Sequence, residues 1–357
     1  MTNVKTIRAG LIGCGDISSR HLRTYAECGI ELAALCDLDL TRAEKRRAEF
    51  GSPDTPIFTD HQELLAMPEI DLVTVATPVS VHAPITIDAL QAGKQVACEK
   101  PSALSIEENR RIVEAARQTG NKVAFFSSRM RWGSAALARD YTEGGELGRI
   151  YHADVQYWRR RGRPGLDCVV GAHWFLDSEQ AGAGVLMDMG VYFMDTVMHL
   201  LGWPEISAVS AATFRGHAHD LPPEVRFDVE EHCTFLARTD GDLLLSFDLA
   251  WIAHHAPKRV VSILGTEGGI RIGGGQPFTF FHERGGPFRW MDTTTEWKDS
   301  RGGNQHVYEG LMRAARGEDV YVGTTPEEAL ALTVLTQMVL HSAEQGQEIR
   351  REELPGL

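Results

Sequence analysis

At 357 residues the chain is long enough to bury two domain cores, and its balance of 43% hydrophobic and 24% charged residues excludes wholesale disorder. A net charge of −13 with no isolated Lys/Arg block argues against a nucleic-acid partner. No apolar stretch approaches the roughly 18 residues that cross a bilayer. Met1–Lys5 runs straight into the first apolar segment, which leaves no room for a signal peptide. The cysteines (Cys14, Cys28, Cys36, Cys98, Cys168 and Cys233) are scattered without a C-x-x-C pair and read as reduced thiols. The expected location is cytoplasmic.

Taken in chain order, the first segment is an apolar strand, Ile7–Ile12, that ends in Gly13–Cys14–Gly15–Asp16–Ile17. A strand, then Gly-x-Gly, then a helix builds a dinucleotide-phosphate site. The first glycine allows the tight turn and the second lets backbone approach the pyrophosphate, while the helix start offers free N–H groups. The third fingerprint position is Ser18 instead of glycine. A second predicted strand, Leu32–Cys36, ends at Asp37, near the offset where a carboxylate accepts hydrogen bonds from a ribose. That carboxylate repels a 2′-phosphate, so NAD is expected over NADP. Arg42 reads as a solvated residue of a helix over 41–50, where Thr41 and Glu44 have capping-box spacing.

Strands are predicted at Leu72–Ala76, Gln95–Cys98 and Val123–Phe126, with helices Ser18–Cys28, His61–Ala66, Ala83–Ala92 and Ile106–Gln118 between them. Ser105 and Glu108 have capping-box spacing for the last helix, and Gly120 ends it. Alternating strands and helices imply a parallel sheet with right-handed crossovers. From about residue 150 the pattern becomes strand after strand: Ile150–Trp158, Ile206–Phe214, Val229–Leu236, Asp242–Trp251, Val260–Leu264 and Gly269–Ile272. One long helix, Leu186–Leu201, interrupts them, and a tail helix opens at Thr325–Pro326–Glu327–Glu328. The glycines of 265–275 read as hairpin turns.

The expected fold is an α/β dinucleotide-binding domain of Rossmann type over 1–126. An α+β domain with a large, mostly antiparallel open sheet follows over 127–357, with the last helix, about 325–345, packing back on the first domain. Val209, Phe235 and Phe247 do not look adapted to solvent, so the open sheet is expected to be covered by another subunit in a homodimer or homotetramer.

Two further segments carry chemistry. Gln95–Cys98 delivers Glu99–Lys100–Pro101 at its carboxyl end, where open parallel sheets bind ligands. Downstream, Gly182–Ala183–Gly184 leads into a helix on which Asp188 and Tyr192 lie four residues apart, on one predicted face. The run Arg159–Arg160–Arg161–Gly162–Arg163 reads equally as the rim of a cleft or as a solvated loop. His254–His255 and His217-x-His219 lack a third ligand with metal geometry, and no metal site is expected.

The order Gly13-x-Gly15, Thr77–Pro78 with His82, Glu99–Lys100–Pro101, then Asp188-x-x-x-Tyr192 resembles the Gfo/Idh/MocA oxidoreductases, NAD(P)-dependent enzymes of sugars, inositols and related polyols. Many members carry histidine where this chain has Tyr192; those like glucose–fructose oxidoreductase and dihydrodiol dehydrogenase carry tyrosine. The resemblance implies a hydride-transferring dehydrogenase of a sugar, cyclitol or glycoside with Lys100, Asp188 and Tyr192 as catalytic residues. It implies cofactor contacts at Gly13, Gly15, Asp16, Ile17, Asp37, Thr77, Pro78, His82, Glu99 and Lys100. Arg129, His173 and Trp174 are candidates for lining a sugar pocket.

A phenol of ordinary pKa about 10 is mostly protonated at pH 8, and a nearby ammonium group favours its anion. Tyr192 is therefore read as the acid/base and Lys100 as the cation that assists it, with Asp188 orienting Lys100 or a substrate hydroxyl. Lys100 as the proton acceptor stands beside this reading. Two other activities fit the same motifs: a glycosidase using bound NAD for transient oxidation, and a non-catalytic dinucleotide-binding regulator.

Overall fold

The computed structural model describes residues 5–283, 289–295 and 301–357. The chain forms two compact units, residues 1–129 with 301–333 and residues 130–300 with 334–357. In the first, β1 (Arg8–Ile12), β2 (Glu31–Cys36), β3 (Ile57–Phe58), β4 (Leu72–Val75), β5 (Gln95–Cys98) and β6 (Val123–Phe125) form a parallel sheet in the order β3-β2-β1-β4-β5-β6. The strand order reverses between β1 and β4, and such a switch point opens a crevice beyond the strand ends. Every residue of β4 is buried, as a strand covered on both faces requires. The core between sheet and helices includes Ile12, Ala34, Val73, Val75, Val96, Ile112 and Phe125.

The crossovers are α1 (Ser18–Cys28), α2 (Leu40–Phe50), α3 (His61–Leu65), α4 (His82–Gln91) and α5 (Ile106–Thr119). The α5 capping box of Ser105 and Glu108 forms, and Gly120 ends the helix in the left-handed region at φ +70°. The predicted α2 cap does not form. Asp39, extended at ψ 99°, accepts from the Thr41 N–H and starts the helix at Leu40. A carboxylate two residues ahead of Thr41 outcompetes the hydroxyl for the same helix start.

In the second unit, α6 (Ser134–Gly144), which carries no strong periodic signal in the sequence, precedes β7 (Ile150–Trp158). The short α7 (Ser178–Ala181) is followed by a π-helical turn, Leu186–Gly190, that runs into α8 (Val191–Leu200). Then come β8 (Ile206–Phe214), β9 (His232–Thr239), β10 (Leu244–Ala250), β11 (Lys258–Gly265), β12 (Gly268–Gly273), β13 (Gln276–Glu283) and β14 (Trp290–Thr295). With the C-terminal β15 (Ile349–Arg350), these give nine strands among the described residues, in the order β14-β13-β12-β11-β7-β10-β9-β8-β15. Only β7 and β10 are parallel neighbours among them, and the other pairs are antiparallel. The strand expected from Val229 starts at His232. The glycines after Ile272 do turn a hairpin: Gly273 sits at φ +85°, and a Cβ there would lie 2.2 Å from the Arg259 carbonyl oxygen.

Val209, Phe235 and Phe247 need no other subunit to cover them. They are buried within the unit, Phe235 and Phe247 stacked as cross-strand partners at 4.6 Å, and Phe193 of α8 packs 5.1 Å from Tyr157 of β7. Alternation puts polar residues on the other face. Ser246 donates to Asp154 at 2.6 Å, and His232 lies 2.6 Å from Asp248.

Residues 301–324, assigned from sequence to the second domain, fall in the first unit, as does the start of the last helix through Thr333. In α9 (Gly303–Ala314), Tyr308 OH lies 2.9 Å from Thr74 Oγ1 of β4. In the first half of α10 (Pro326–Gln345), Thr333 accepts from Asn109 of α5. Helical periodicity says that a segment is amphipathic, and the tertiary fold chooses which core receives it.

Candidate active site

The glycine turn is built by close approach. At Gly13, φ +94°, a Cβ would lie 2.5 Å from the Ala76 carbonyl oxygen, so this glycine is required by packing against the end of β4. At Gly15 a Cβ would meet nothing within 4 Å, which leaves the backbone open to a ligand. Asp37 lies at the same turn, accepting from the Cys14 N–H at 2.6 Å through one oxygen and from the Asp39 N–H at 2.8 Å through the other. Arg42 pairs with Asp39 on the exposed side of α2. The α1 start has no side-chain cap and no acidic residue in its first turn, an arrangement favourable to an anion. These features fit a dinucleotide: N–H groups at a helix start, an approachable glycine and an oriented carboxylate.

Glu99, at the exit of β5, is buried at the head of a polar chain. His21 Nε2 lies 3.1 Å from its carboxylate and His21 Nδ1 lies 2.9 Å from Tyr308 OH, while Thr74 bridges Tyr308 and Tyr25 at 2.9 and 2.6 Å. Burial pushes the Glu99 carboxyl up, but the His21 hydrogen bond and charge, with Arg129 and Lys100, outweigh it and hold the pKa at about 2. Burial pushes both phenols upward and keeps them as proton donors. Lys100 follows on a cis peptide to Pro101, its N–H donating to the Glu99 carboxylate at 3.1 Å.

His82 is fully enclosed, with Nδ1 2.7 Å from the Pro101 carbonyl oxygen and Nε2 2.8 Å from that of Thr77. Burial lowers its pKa against the pull of those acceptors. Both ring nitrogens face backbone carbonyl oxygens, and the single N–H of a neutral ring donates to one of them, so His82 packs between the turn after Lys100 and the Thr77–Pro78 loop and is not turned toward a ligand. The Thr77 hydroxyl, also buried, has no hydrogen-bond partner among the described residues. Arg129, a candidate for a sugar pocket, lies in the first unit, where its charge acts on Glu99.

In the second unit, Asp188 sits on the π turn, and Tyr192 is buried in the first turn of α8. A π turn in place of regular helix is a common mark of a functional site. Glu230 holds its start by accepting from the Gly184 and Leu186 N–H groups at 2.8 and 2.9 Å. Gly184 is there because a Cβ would lie 1.9 Å from the Glu230 carbonyl oxygen, a close approach and not merely a flexible linker.

Asp188 has two partners that sequence reasoning missed. Trp251 Nε1 donates at 2.9 Å, and Arg159 Nη1 lies 3.5 Å away. Arg159 also donates to Tyr157 OH at 2.6 Å; burial opposes its charge, yet Asp188 and Tyr157 raise its pKa. The arginine run therefore divides. Arg159 serves Asp188, Arg160 and Arg161 are exposed, and Arg163 is buried between Asp167 and Glu231 at 2.8 and 3.1 Å. Strand alternation before the run marks Arg159 as sharing a face with Tyr157, the one local signal of its role. His173 and Trp174 form a half-buried 3₁₀ turn, His173–Leu176, with Trp174 stacked on Phe175 at 3.7 Å.

The thiols read as structural. Burial, followed by Asp37 and Cys36, pushes Cys14 up to about 12. Among the described residues no group of three or more His, Cys, Asp or Glu side chains could hold a metal, and no helix is long and apolar enough to cross a membrane.

A parallel sheet in this order, with a glycine turn at its switch point, defines the class of dinucleotide-binding α/β proteins. The chain belongs to the Gfo/Idh/MocA oxidoreductase family. Residues 7–126 match its NAD-binding Rossmann-fold domain, residues 135–271 match its C-terminal domain, and NAD is the cofactor. It is 32% identical to D-glucoside 3-dehydrogenase of Escherichia coli K12, over 58% of this chain and 58% of that one. It is 30% identical to a putative UDP-kanosamine synthase oxidoreductase subunit of Amycolatopsis mediterranei, over 74% of this chain and 73% of that one. Among solved structures, the WlbA dehydrogenase of Bordetella pertussis, in complex with NADH and UDP-GlcNAcA, aligns with a TM-score of 0.80 and 25% identity, over 97% of this chain and 99% of that one.

The depressed pKa of Glu99 has a pH signature. Its carboxylate contributes stability above the ordinary pKa of 4.5, and this is lost as pH falls toward about 2. Glu99→Gln should be less stable at pH 7 and should lose less on acidification from pH 5 to 2, as read from urea unfolding across that range. Parallel curves for both proteins would refute the assignment.

Proposed function

We propose that the protein is an NAD-dependent dehydrogenase that interconverts a secondary alcohol and a ketone on a sugar, cyclitol or glycoside. One observation carries this reading: a carboxylate on a π turn, held by an indole N–H and a guanidinium, directly precedes a buried phenol. The kinship with a glucoside dehydrogenase supports it. The first unit is the dinucleotide-binding part, and the second is the substrate and subunit-contact part.

Gly13, Gly15, Asp16 and Ile17 would hold the phosphates of NAD, and Asp37 the ribose hydroxyls. Thr77, Pro78, Glu99 and Lys100 would line its remaining path, with His82 fixing that path from behind. When bound, NAD supplies the hydride acceptor. The Tyr192 phenolate takes the substrate's hydroxyl proton in the oxidative direction, and the resulting phenol returns it in the reductive one. Lys100 is the alternative acceptor of that proton. Asp188, kept in orientation by Trp251 and Arg159, accepts a hydrogen bond from a substrate hydroxyl. Arg129, His173 and Trp174 are the proposed contacts to the remaining hydroxyls and ring faces.

General acid–base catalysis is worth about 10²–10⁴-fold. Tyr192→Phe should lower kcat by that order on a polyol or glycoside that the enzyme oxidises, with NADH accumulation as the readout, and Lys100→Met should also lose rate. A loss below tenfold in Tyr192→Phe, with turnover abolished in Lys100→Met, would move the proton to Lys100. Release of free sugar without NADH would instead identify a glycosidase, and no turnover on any substrate a regulator.

Asp37 carries the cofactor preference. kcat/KM should be higher with NAD than with NADP on one substrate, and equal or better use of NADP would defeat this.

We also infer a cytoplasmic homodimer or homotetramer. Reduced, burial-raised thiols suit a reducing compartment, and the second unit's sheet exposes Phe214, Leu236 and Leu264. Sedimentation at micromolar concentration should show a species of two or four chains; a monomer would overturn it.

A further inference from the structure

Ser18 stands where the dinucleotide fingerprint usually has its third glycine, and the structure gives that serine a partner the motif does not contain. Arg46 extends from α2 with its side chain only 8% exposed. Its Nε donates to Ser18 Oγ at 2.7 Å, and its Nη2 donates to the Gly15 carbonyl oxygen at 2.9 Å. Nη1 pairs with the more exposed Glu49 at 2.7 Å, which fixes the guanidinium plane and offsets part of its charge. The same Gly15 carbonyl also accepts from the Ser18 hydroxyl and from the Ser18 N–H at 3.2 Å. Three donors therefore converge on one carbonyl of the glycine turn.

The consequence follows from peptide geometry. In a planar trans peptide the C=O and the next N–H point in opposite directions. Holding the Gly15 carbonyl toward Arg46 turns the Asp16 N–H away from it. Among the described residues no acceptor meets the Asp16 N–H. The backbone at Gly15 is open at its Cβ position, and the α1 start carries no side-chain cap.

We propose that Arg46 is a positioning residue for the pyrophosphate of NAD: from behind the glycine turn it locks the Gly15–Asp16 peptide with its N–H presented to the phosphates. The fork donates to two groups of one turn in fixed geometry, which an ammonium cannot reproduce. Ser18 relays the contact, so its hydroxyl takes up a role in place of the missing glycine.

The test reads binding and needs no substrate, so it stands apart from the proposed reaction: a chain that binds NADH but oxidises no sugar leaves this inference intact. Affinities of the full chain are measured by NADH fluorescence, with ADP-ribose and adenosine as competitors. Hydrogen bonds from charged groups set the scale. Arg46→Met should weaken NADH and ADP-ribose by about 10- to 100-fold, while adenosine, which lacks the phosphates, changes by less than about twofold. Arg46→Lys should restore only part of the loss. Ser18→Ala should weaken the same two ligands by a smaller factor, and it is the deciding variant if Arg46→Met does not fold. Unchanged NADH affinity in folded Arg46→Met, or in Ser18→Ala when that variant decides, would overturn the proposal. So would an equal loss for adenosine and NADH, which would mark a general structural role.

Discussion

A buried carboxylate must be matched by donors or neutralised, and in the first unit Glu99 imposes that requirement on everything around it. His21 answers it from α1, the helix that starts at the glycine turn. Tyr308 continues the chain from α9, Thr74 carries it into β4, and Tyr25 returns it to α1. One hydrogen-bonded path thus couples the strand end that bears Lys100, the helix that starts at the glycine turn and a segment more than 200 residues later in sequence. Because Glu99 is held charged, Lys100 emerges beside a fixed negative group, and the position of its backbone is set by that group's hydrogen bond. His82 completes the arrangement by packing between the Thr77 and Pro101 carbonyls.

The second unit solves a similar problem around Asp188. Its carboxylate is oriented by an indole from the end of β10 and a guanidinium from the end of β7, two strands that lie side by side and run parallel. The parallel pairing brings Trp251 and Arg159 to the same end of the sheet, where the Arg159 N–H also donates to the Ala250 carbonyl. Glu230, buried, clamps the entry to the π turn through two backbone N–H groups. The turn that carries Asp188 is thereby fixed from below by backbone bonds and from the side by side chains, so its carboxylate has little freedom to swing.

Much of this was legible locally. The glycine turn, Asp37, the strand that ends at Glu99–Lys100 and the Asp188-x-x-x-Tyr192 spacing are short-range patterns, and short-range patterns survive in a linear sequence. The capping box of α5 is read directly from Ser105 and Glu108. Arg46, Trp251 and Tyr308 were not legible, since their partners lie 28, 63 and 234 residues away and nothing periodic marks them. Arg163 was hidden by company: a run of arginines reads as a solvated stretch, while its burial depends on Glu231 arriving from a distant segment. The same limit hid which core receives residues 301–324 and left Val209, Phe235 and Phe247 without the cover that their own unit provides.

By itself the sequence determined the order of the elements, the parallel sheet followed by a mostly antiparallel one, the dinucleotide turn and the identity of the residues with reactive side chains. Those follow from backbone sterics and from hydrophobic periods of two and 3.6, which act within a few residues. The tertiary structure alone decided which charges are buried and who satisfies them: His21 with Glu99, Trp251 and Arg159 with Asp188, Arg46 with Gly15. The reason is physical. Desolvating a charge is costly wherever it occurs, but the donors that offset the cost are brought by chain crossings, and those depend on how whole elements pack.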